Sequence, residues 1–569
     1  MSKHENEQYR MKKWSLIAVA ALCATAVWVP VLPGASSVGA ATVPDGASAY
    51  APVSPARLAD TRPESGAAGF TRISANIIRV QVAGRAGIAA NATAAALNIV
   101  SVGATAKGFA TVYPAGTEVP PTSTLNIDQP GRTIANLTTV QLGAGGAIDI
   151  FANIDMHLVV DVAGAYTPVT TTTASGRLVT IAGGAQRVLD TRQTGGPVAS
   201  RATQSVSVAG LGVPADATAL VVNIVATEAA VGFWTVYPQG DTLPTASNLN
   251  IDVAGQTRSA QAIVRLPKNA TGFQVFSQSG GQLVVDVAGW FTGPSAAKST
   301  DGLFIPTNPI RVLDTRDASV MPPWGGSTIE FGSGTPFQGQ TAAAAMNITI
   351  TDPLYVGYIT AYPAGVPRPG TSNLNVANFD QIIANHAIVR MGTRGISLFT
   401  QSGTHMVADV TGWYLGTPDA STLPVPVNPS LEPSYALAIA APNAGLLTGV
   451  GYGSNINSVI NTGQAGLWAG VGGMGTPEHN VVFAHRTSHG GPFRYINALT
   501  VGSSFTVQGA DGRNYLYLVT RNDVIPPRVS ALNSILGDAG MATFTLVACH
   551  PPGSVTYRLA ITGRLIGLA

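Results

Sequence analysis

Charge is scarce in this chain. Only 11% of its 569 residues are Asp, Glu, Lys or Arg, whereas an average protein has about a quarter. The formal net charge is only +2, so the sequence lacks the basic field that attracts nucleic acid, and we expect no nucleic-acid partner. A hydrophobic fraction of 46% is inconsistent with a disordered composition. The length predicts several domains, each large enough to bury its own core.

The N-terminus has the pattern of an export signal. Lys12 and Lys13 precede an apolar run from Trp14 to about Leu32, and Val38-Gly-Ala40 offers a small-residue cleavage site. The run is long for a signal peptide and is compatible with one membrane span. We therefore expect residues 1–40 to be a signal peptide or an N-terminal anchor, and the protein to be secreted or held at the cell surface.

Cysteine is almost absent, with Cys23 in the apolar run and Cys549 near the C-terminus. If the N-terminal segment is removed, Cys549 is the single cysteine left. An exported protein with one cysteine has no internal disulfide, so its thiol is either reactive or inert through burial. The presence of a single cysteine therefore favours a catalytic thiol.

The sequence contains three tandem repeats. The run Arg57-Leu-Ala-Asp-Thr-Arg62 recurs as Arg187-Val-Leu-Asp-Thr-Arg192 and Arg311-Val-Leu-Asp-Thr-Arg316. The interval is the length of a domain, so each repeat is predicted to be a whole module. Further landmarks recur in the same order: Asn98, Asn223 and Asn347 before Ile; Tyr113, Tyr237 and Tyr362 before Pro; and Asp161, Asp286 and Asp409 before Val.

Within each repeat, short β-branched runs alternate with Gly, Pro and Asn turns, and no run keeps a helical period. This pattern predicts an all-β fold with three tandem β-sandwich-like modules. The repeats resemble a module of secreted actinobacterial proteins that is usually appended to enzymes. That resemblance implies no specific ligand.

Two hypotheses concern chemistry in the repeats. Asp190 and Arg192 are two positions apart and share one side of a strand, which predicts a structural ion pair or turn lock at a domain seam in each copy. A carbohydrate or wall ligand needs an exposed aromatic platform, for which Tyr113, Tyr237 and Tyr362 are candidates, although a tyrosine before proline also suits turn packing. No histidine recurs in all three copies, so we expect no repeated metal site. We expect the repeats to position the protein or to contact the cell wall.

The C-terminal part contains two short apolar runs, each delivering one reactive side chain at its end. Asn480-Val-Val-Phe-Ala is followed by His485, and Thr543-Phe-Thr-Leu-Val-Ala is followed by Cys549. Arg558 lies in the next β-like run. A thiol, an imidazole and a guanidinium at neighbouring strand ends would make an acyl-transfer site.

These residues resemble the sortase family, the cysteine transpeptidases of Gram-positive cell surfaces. The matching features are His485-Arg-Thr followed by Gly491-Pro-Phe, the strand Thr545-Leu-Val-Ala-Cys549, and Arg558 on the next strand. Cys549-His-Pro is most like the actinobacterial class E type. The resemblance covers about the last quarter of the chain.

The resemblance implies a closed β-barrel with short helices outside it, and a cysteine transpeptidase without a cofactor. Cys549 would attack the carbonyl of a Thr-Gly bond in a sorting signal. His485 would protonate the leaving amine and then deprotonate the incoming amine of a peptidoglycan precursor or a pilin lysine, while Arg558 would hold the peptide and stabilise the oxyanion. The implied partners are surface proteins that carry a sorting signal, and an amine acceptor.

Other interpretations remain open. Cys549 could be a small buried hydrophobe among Phe544, Leu546 and Val547, which would make the protein a non-catalytic surface adhesion or wall-binding protein with a degenerate sortase domain. A hydrolytic cysteine peptidase is the third interpretation. Four further side chains compete for roles: His489 and His550, expected at the rim of the site, and Arg486 and Arg564, which lack the spacing of Arg558.

The expected domain boundaries follow from these patterns. They are 1–40 for the signal or anchor, 48–168, 175–294 and 300–416 for the three modules, 417–430 for a Pro-rich linker, and 431–569 for the sortase-like domain.

Overall fold

The computed structural model describes residues 42–568 except 317–327, 333–339, 354–355, 379–380, 423–435, 453–455, 470–478, 529–530 and 532–541. The expected signal or anchor, and residues 423–430 of the expected linker, lie outside the described residues. Among the described helices, none has the length and apolarity needed to cross a membrane. The described residues form an all-β chain, as the sequence predicted.

Repeat 1, residues 48–168, folds into two sheets packed face to face. Its strands are β1 (Ser48–Asp60), β2 (Thr71–Arg72), β3 (Ile77–Gln81), β4 (Ala94–Val102), β5 (Gly108–Pro114), β6 (Leu125–Ile127), β7 (Ile134–Gln141), β8 (Ala147–Ala152) and β9 (His157–Pro168). The inner sheet contains β1, β9, β4 and β7, and the outer sheet has the order β2-β3-β8-β5-β6.

Repeat 2, residues 175–294, repeats this plan. Its strands are β10 (Leu178–Thr180), β11 (Gln186–Asp190), β12 (Ala202–Ser207), β13 (Ala219–Ala229), β14 (Gly232–Pro238), β15 (Leu249–Ile251), β16 (Gln256–Arg265), β17 (Gly272–Ser277) and β18 (Gln282–Phe291). The inner sheet contains β10, β11, β18, β13 and β16, and the outer sheet has the order β12-β17-β14-β15.

Repeat 3, residues 300–416, follows the same order. Its strands are β19 (Phe304–Asp314), β20 (Thr328–Phe331), β21 (Thr341–Thr351), β22 (Gly357–Pro363), β23 (Leu374–Val376), β24 (Ile383–Arg390), β25 (Ile396–Thr400) and β26 (His405–Leu415). The inner sheet contains β24, β21, β26 and β19, and the outer sheet has the order β20-β25-β22-β23. Each repeat is therefore a β-sandwich, and the alternation of side chains along each strand fills its core.

β1 also pairs with β19, so the inner strands of repeats 1 and 3 form one eight-stranded sheet. The inner strands of all three repeats pack against one another. A second core, separate from the three sandwich cores, takes residues from every repeat: Tyr50, Ala94, Ala96, Leu137 and Tyr166 from the first, Leu178, Ala219, Val221, Ile263 and Phe291 from the second, and Phe304, Ala343, Ala345, Ile388 and Tyr414 from the third. The inner strands are thus buried on both faces, which explains their nearly continuous apolar runs. The repeats share one core as well as having their own, whereas the sequence indicated modules with separate cores.

A closed ring of hydrogen bonds links the repeats. Asn98 Nδ2 in repeat 1 donates to the carbonyl of Ser247 in repeat 2 over 2.6 Å. Asn223 donates to the carbonyl of Ser372 over 2.8 Å, and Asn347 donates to that of Ser123 over 2.7 Å. The asparagine of repeat 1 thus donates to repeat 2, that of repeat 2 donates to repeat 3, and that of repeat 3 donates back to repeat 1. The three repeats are therefore arranged with approximate threefold symmetry.

The recurring Asp-Thr-Arg motif forms ion pairs. Asp190 accepts hydrogen bonds from Arg192 Nε at 2.8 Å and Nη2 at 2.6 Å, and these bonds lower the pKa of Asp190. In repeat 1 the first arginine of the motif, Arg57, also donates to the carbonyl of Thr245 in repeat 2. These contacts confirm the structural ion pair at a module seam, which the two-residue spacing of Asp190 and Arg192 predicted.

The three Tyr-Pro tyrosines are not exposed platforms. Tyr113, Tyr237 and Tyr362 are only 1%, 5% and 7% exposed. The prediction of a ligand platform at these positions is wrong, because each ring is packed at the end of its strand. The alternative interpretation of these tyrosines as packing residues is correct.

Residues 436–568 form a closed barrel. The strands are β27 (Ala436–Ala441), β28 (Leu446–Gly451), β29 (Ala465–Ala469), β30 (His479–Phe483), β31 (Ser504–Gly509), β32 (Asn514–Ile525), β33 (Thr543–His550) and β34 (Tyr557–Leu568), in the order β27-β28-β29-β30-β33-β34-β32-β31. One short helix, α1 (Ile456–Ile460), is described in it. Short 3₁₀ turns span Pro63–Ser65, Ala144–Gly146, Pro442–Ala444 and Ile496–Ala498.

Large side chains fill the barrel. Phe505, Tyr517 and Phe544 pack ring to ring in its interior, together with Leu546. In β33 the core positions Phe544, Leu546 and Ala548 alternate with Thr545 and Val547, as a strand buried on both faces requires. This packing fixes the position of the last residues of β33, where the reactive side chains lie.

Candidate active site

Two parallel strands bring His485 and Cys549 to the same rim of the barrel. β30 and β33 are neighbours, with Val481 opposite Thr545 and Phe483 opposite Val547. The pairing continues past the end of β30, since Ala484 N donates to the carbonyl of Val547 over 3.2 Å. Extending this register by two residues sets His485 beside Cys549. The two residues lie at the same rim because the carboxyl ends of parallel strands lie at one edge.

Arg558 lies on the other side of the cysteine. β33 and β34 are antiparallel, with Cys549 directly opposite Arg558 and His550 opposite Tyr557. The structure therefore brings the three predicted site residues to three adjacent strand ends. Arg564 is paired with Thr543 at the far end of β33, which removes it from this rim.

The thiol of Cys549 is free and half-buried. It follows the fully buried part of β33, so it is at the point where the strand leaves the core. A cysteine in this position combines a fixed backbone with access for a ligand. That arrangement differs from the inert, fully buried cysteine of the alternative interpretation.

Two neighbours hold the imidazole of His485. Its Nε2 lies 2.8 Å from Oδ1 of Asn461, just after α1. Its ring stacks on that of His489, with centroids 4.5 Å apart. Burial, followed by the charge of His489, lowers the pKa of His485. A neutral imidazole is therefore the dominant form at neutral pH, and it can accept a proton from a thiol.

Arg486 is a buried cation behind the cysteine. It is 3% exposed, and burial lowers its pKa. Nη1 donates to Nδ1 of His550 over 2.9 Å and, more weakly, to the carbonyl of Cys549 over 3.4 Å. Nη2 donates to Oδ1 of Asn497. No acidic side chain pairs with Arg486 among the described residues, so its positive charge is not neutralised by a carboxylate.

Arg558 has a different environment. Nη1 donates to the carbonyls of Val555 and Tyr557, both at 3.0 Å, in exposed contacts. Its guanidinium thus lies at the surface beside the β33–β34 turn. The two arginines have separate positions: Arg558 lies where a ligand can reach it, and Arg486 supports the strand end from inside.

The sequence did not point to Asn461 or Asn497. Neither belongs to a motif. Asn461 directly follows α1 and Asn497 lies in the 3₁₀ turn Ile496–Ala498, and only the folded barrel brings them near the site. In the sequence analysis, Arg486 was an alternative to Arg558 for the role of the site arginine. His489 and His550 were expected at the rim; His489 stacks on His485 and His550 bonds Arg486, so both contact site residues.

The arrangement contains the chemical groups that acyl transfer requires. It offers a nucleophile, a proton acceptor and a fixed cation at three adjacent strand ends. In the described part of the chain, no three side chains of His, Cys, Asp or Glu come together as a metal site.

The family comparison agrees with the resemblance seen in the motifs. Residues 439–566, which span the C-terminal barrel, match the family model described as Sortase domain. Sortase SrtE1 of Streptomyces coelicolor is 26% identical over 149 residues, which are 24% of this chain and 42% of that protein. The chain thus spans under half the length of this relative.

Solved sortase structures are similar to about a quarter of the chain. Sortase C-1 of Actinomyces oris is 25% identical, with 24% of this chain and 77% of that chain covered and a TM-score of 0.22. The lid mutant of Streptococcus agalactiae sortase C1 is 22% identical, with 24% and 72% covered and a TM-score of 0.22.

Proposed function

We propose that this protein is an exported sortase-type cysteine transpeptidase. It would cleave the Thr-Gly bond of a sorting signal and transfer the acyl group to an amine of the cell wall or of a pilin. The observation that carries this proposal is the register of the barrel: β30 and β33 set His485 beside Cys549, and β34 sets Arg558 opposite Cys549. The family match over residues 439–566 supports the same class of function.

The first half-reaction forms a thioester. The Cys549 thiol transfers its proton to the neutral ring of His485, and its sulfur bonds to the carbonyl carbon of the threonine. The carbonyl oxygen becomes an oxyanion in the tetrahedral intermediate. The carbon–nitrogen bond then breaks, and His485 returns the proton to the leaving amine of glycine. The lowered pKa of His485 suits this order of proton transfers, because the neutral imidazole has a free lone pair that can accept the thiol proton.

Arg558 is the group that would stabilise the oxyanion. A guanidinium stays charged at every physiological pH and has five N–H donors in a rigid fork. Two of its contacts, to Val555 and Tyr557, hold it beside the strand end. Further donors of the fork can bind the oxyanion or the peptide backbone. This role requires no other cation.

The second half-reaction transfers the acyl group. An incoming amine attacks the thioester, His485 takes a proton from it, and the thiolate leaves and is protonated. The partners would be surface proteins that carry a sorting signal, and a peptidoglycan precursor or another amine. The N-terminal apolar run would deliver the protein to the cell surface, either secreted or anchored.

The test is incubation of the full chain with a Leu-Ala-x-Thr-Gly or Leu-Pro-x-Thr-Gly peptide, with and without an amine acceptor. Mass spectrometry should detect a thioacyl adduct in the wild type and none in Cys549→Ala. An amine-dependent product establishes transpeptidation, whereas adduct turnover to free acid alone establishes a hydrolase. Absence of any adduct with both peptides would refute the proposal and favour the non-catalytic adhesion protein.

A further inference from the structure

Each repeat has a pair of aromatic rings on its outer sheet. The pairs are Phe109 with Phe151, Phe233 with Phe276, and Tyr358 with Phe399, with centroids 6.0, 6.1 and 5.9 Å apart. Their interplanar angles, 53°, 47° and 44°, are also similar. All six rings are half-buried. The three repeats therefore share a similar distance and angle between the two rings.

The rings are on the side of the outer sheet that faces away from the sandwich core. In β5, Ala110 and Val112 belong to the core of repeat 1, and in β8 so do Ile148 and Ile150. Because successive side chains alternate between the faces of a strand, Phe109 and Phe151 project to the opposite side. The same alternation holds in the other repeats, where Trp234 and Val275, and Ile359 and Leu398, fill the cores.

Carboxamide side chains accompany each pair. Asn126, Asn250 and Asn375 lie directly across from Phe109, Phe233 and Tyr358 in the neighbouring strand. They share the outer face, since the residues on either side of each asparagine are core residues. Asn153, Gln278 and Gln401 directly follow β8, β17 and β25. Each pair is thus bordered by two amide side chains.

In the strands beside the pairs, the charged side chains are either absent or paired, and Arg368 of repeat 3 is a further cation at the third pair. In repeat 1, Arg79 and Asp149 form an ion pair beside Phe151. The corresponding positions in repeat 2 are Ser205 and Gln274, which carry no charge. In repeat 3, Glu330 at the same position is paired with Arg394. A hydrogen-bonding surface with aromatic rings complements an uncharged ligand that has both apolar and hydroxyl faces.

We propose that these aromatic pairs are binding sites for a polysaccharide chain of the cell wall. The C–H face of a sugar ring packs on an aromatic face, and its hydroxyls bond to carboxamides, which both donate and accept. Three sites on one body bind a repeating polymer more tightly than one site does, because the second contact is intramolecular. The sites are separate from the Cys549 rim and do not depend on acyl transfer.

The third site differs from the other two. The guanidinium carbon of Arg368 lies 3.6 Å from the centroid of Phe399, and Nη1 donates to the hydroxyl of Tyr358 over 3.2 Å. Arg368 thus covers one face of a ring that a sugar would need. The sites of repeats 1 and 2 are expected to bind more strongly than that of repeat 3.

The experiment measures sedimentation of the purified full chain, in mild detergent, with insoluble bacterial cell walls. Cys549→Ala is present in every sample, so that covalent attachment to the wall cannot imitate binding. One set of walls is intact, and a second is stripped of secondary polysaccharides to leave the peptidoglycan glycan. Phe109→Leu combined with Phe233→Leu removes one ring from each of two pairs and keeps apolar bulk for packing. Val119→Ala combined with Val253→Ala changes exposed apolar residues of the same repeats and is the matched control.

We expect the parent protein and the valine control to bind, and the double leucine variant to bind about tenfold more weakly. Phe399→Leu should cause a smaller loss. Binding to stripped walls identifies the peptidoglycan glycan as the ligand, whereas binding only to intact walls identifies a secondary polysaccharide. The proposal is overturned if neither set of walls binds the parent, or if the double leucine variant binds as the parent does. Thermal unfolding of each variant establishes that it is folded.

Discussion

Asn461 Oδ1 accepts a hydrogen bond from the imidazole of His485 at a distance of 2.8 Å from Nε2. This contact makes Nε2 the protonated nitrogen and leaves Nδ1 with the lone pair that can take a proton. It joins the loop after α1 to the end of β30. Asn461 is therefore positioned to select the tautomer of the imidazole as well as its orientation.

Replacement of Asn461 should affect the chemical step more than peptide binding. We expect Asn461→Ala to lower the rate of thioacyl formation about tenfold, because the ring loses its preferred tautomer. Asn461→Asp should raise the pKa of His485, since a carboxylate stabilises the imidazolium. The acid limb of the rate profile would then move to higher pH. Thr462→Ala, at the next exposed position, is the control, and an unchanged profile in Asn461→Asp would contradict the assignment.

Arg486 should be needed for stability as well as for activity. Arg486→Met removes the donors to His550, Asn497 and the Cys549 carbonyl. Because Asn497 is exposed and the other two residues are half-buried, we expect the lost hydrogen bonds to cost about 2 kcal/mol of unfolding free energy. Arg486→Lys keeps the charge but lacks the planar fork, so we expect partial recovery. Thermal unfolding and the rate of Cys549 alkylation measure the two effects. Arg494→Met, which alters an exposed arginine nearby, should leave both near the parent value.

His386 makes the repeats sensitive to acid. It is 1% exposed, its Nδ1 lies 2.8 Å from Gln261 Oε1, and burial lowers its pKa to about 3. The unfolded chain binds a proton near pH 6.5, whereas the folded chain stays neutral, so stability is full above pH 6.5 and falls as the pH drops towards 3. The loss at pH 3 is about 4 kcal/mol.

A variant can isolate this contribution. Gln261 occupies the equivalent position in repeat 2, since Asn223 pairs with Gln261 as Asn347 pairs with His386. His386→Gln is therefore compatible with the site and does not titrate. Denaturant unfolding between pH 7 and 4 should show a flatter dependence in the variant than in the parent. Equal slopes would show that His386 does not contribute to acid sensitivity.

The hydrogen-bond ring between the repeats should stabilise all three together. Asn223 donates to the carbonyl of Ser372 and accepts from Asn385 Nδ2 at 3.1 Å. Asn223→Ala breaks both contacts in a buried seam and should cost about 2 kcal/mol. Because the repeats share a core, we expect them to keep a single unfolding transition at a lower temperature. Gln193→Ala, at an exposed position of the same repeat, serves as the reference, and a separate transition for repeat 2 would contradict the shared-core arrangement.

Local patterns in the sequence were sufficient for much of the fold. The β-branched runs with Gly and Asn turns predicted the β-sandwiches, and the two-residue spacing of Asp190 and Arg192 predicted their ion pair. These features depend on contacts between residues close in the chain, or on the alternation of side chains between the two faces of one strand. A short stretch of sequence is therefore enough to predict them. The same reasoning located His485, Cys549 and Arg558 at the ends of three strand-like runs.

Local patterns could not assign burial at several positions. Tyr113 and Phe109 are both aromatic residues of β5, yet Tyr113 is buried and Phe109 is half-exposed. The difference depends on what packs over each end of the outer sheet. Similarly, Asn98 and Ser247 are brought together only because the inner strands of the three repeats close around one core.

The sequence alone determined the reactive residue types, the three repeats and the all-β class, because these follow from composition, spacing and strand period. Tertiary structure alone decided which side chains meet. It set His485 beside Cys549 through a parallel pairing of distant strands, added Asn461 and Arg486 to that rim, and joined the repeats into one body. Such contacts depend on the order of strands in a sheet and on closure of the barrel. The two-residue period of a single strand does not predict either of them.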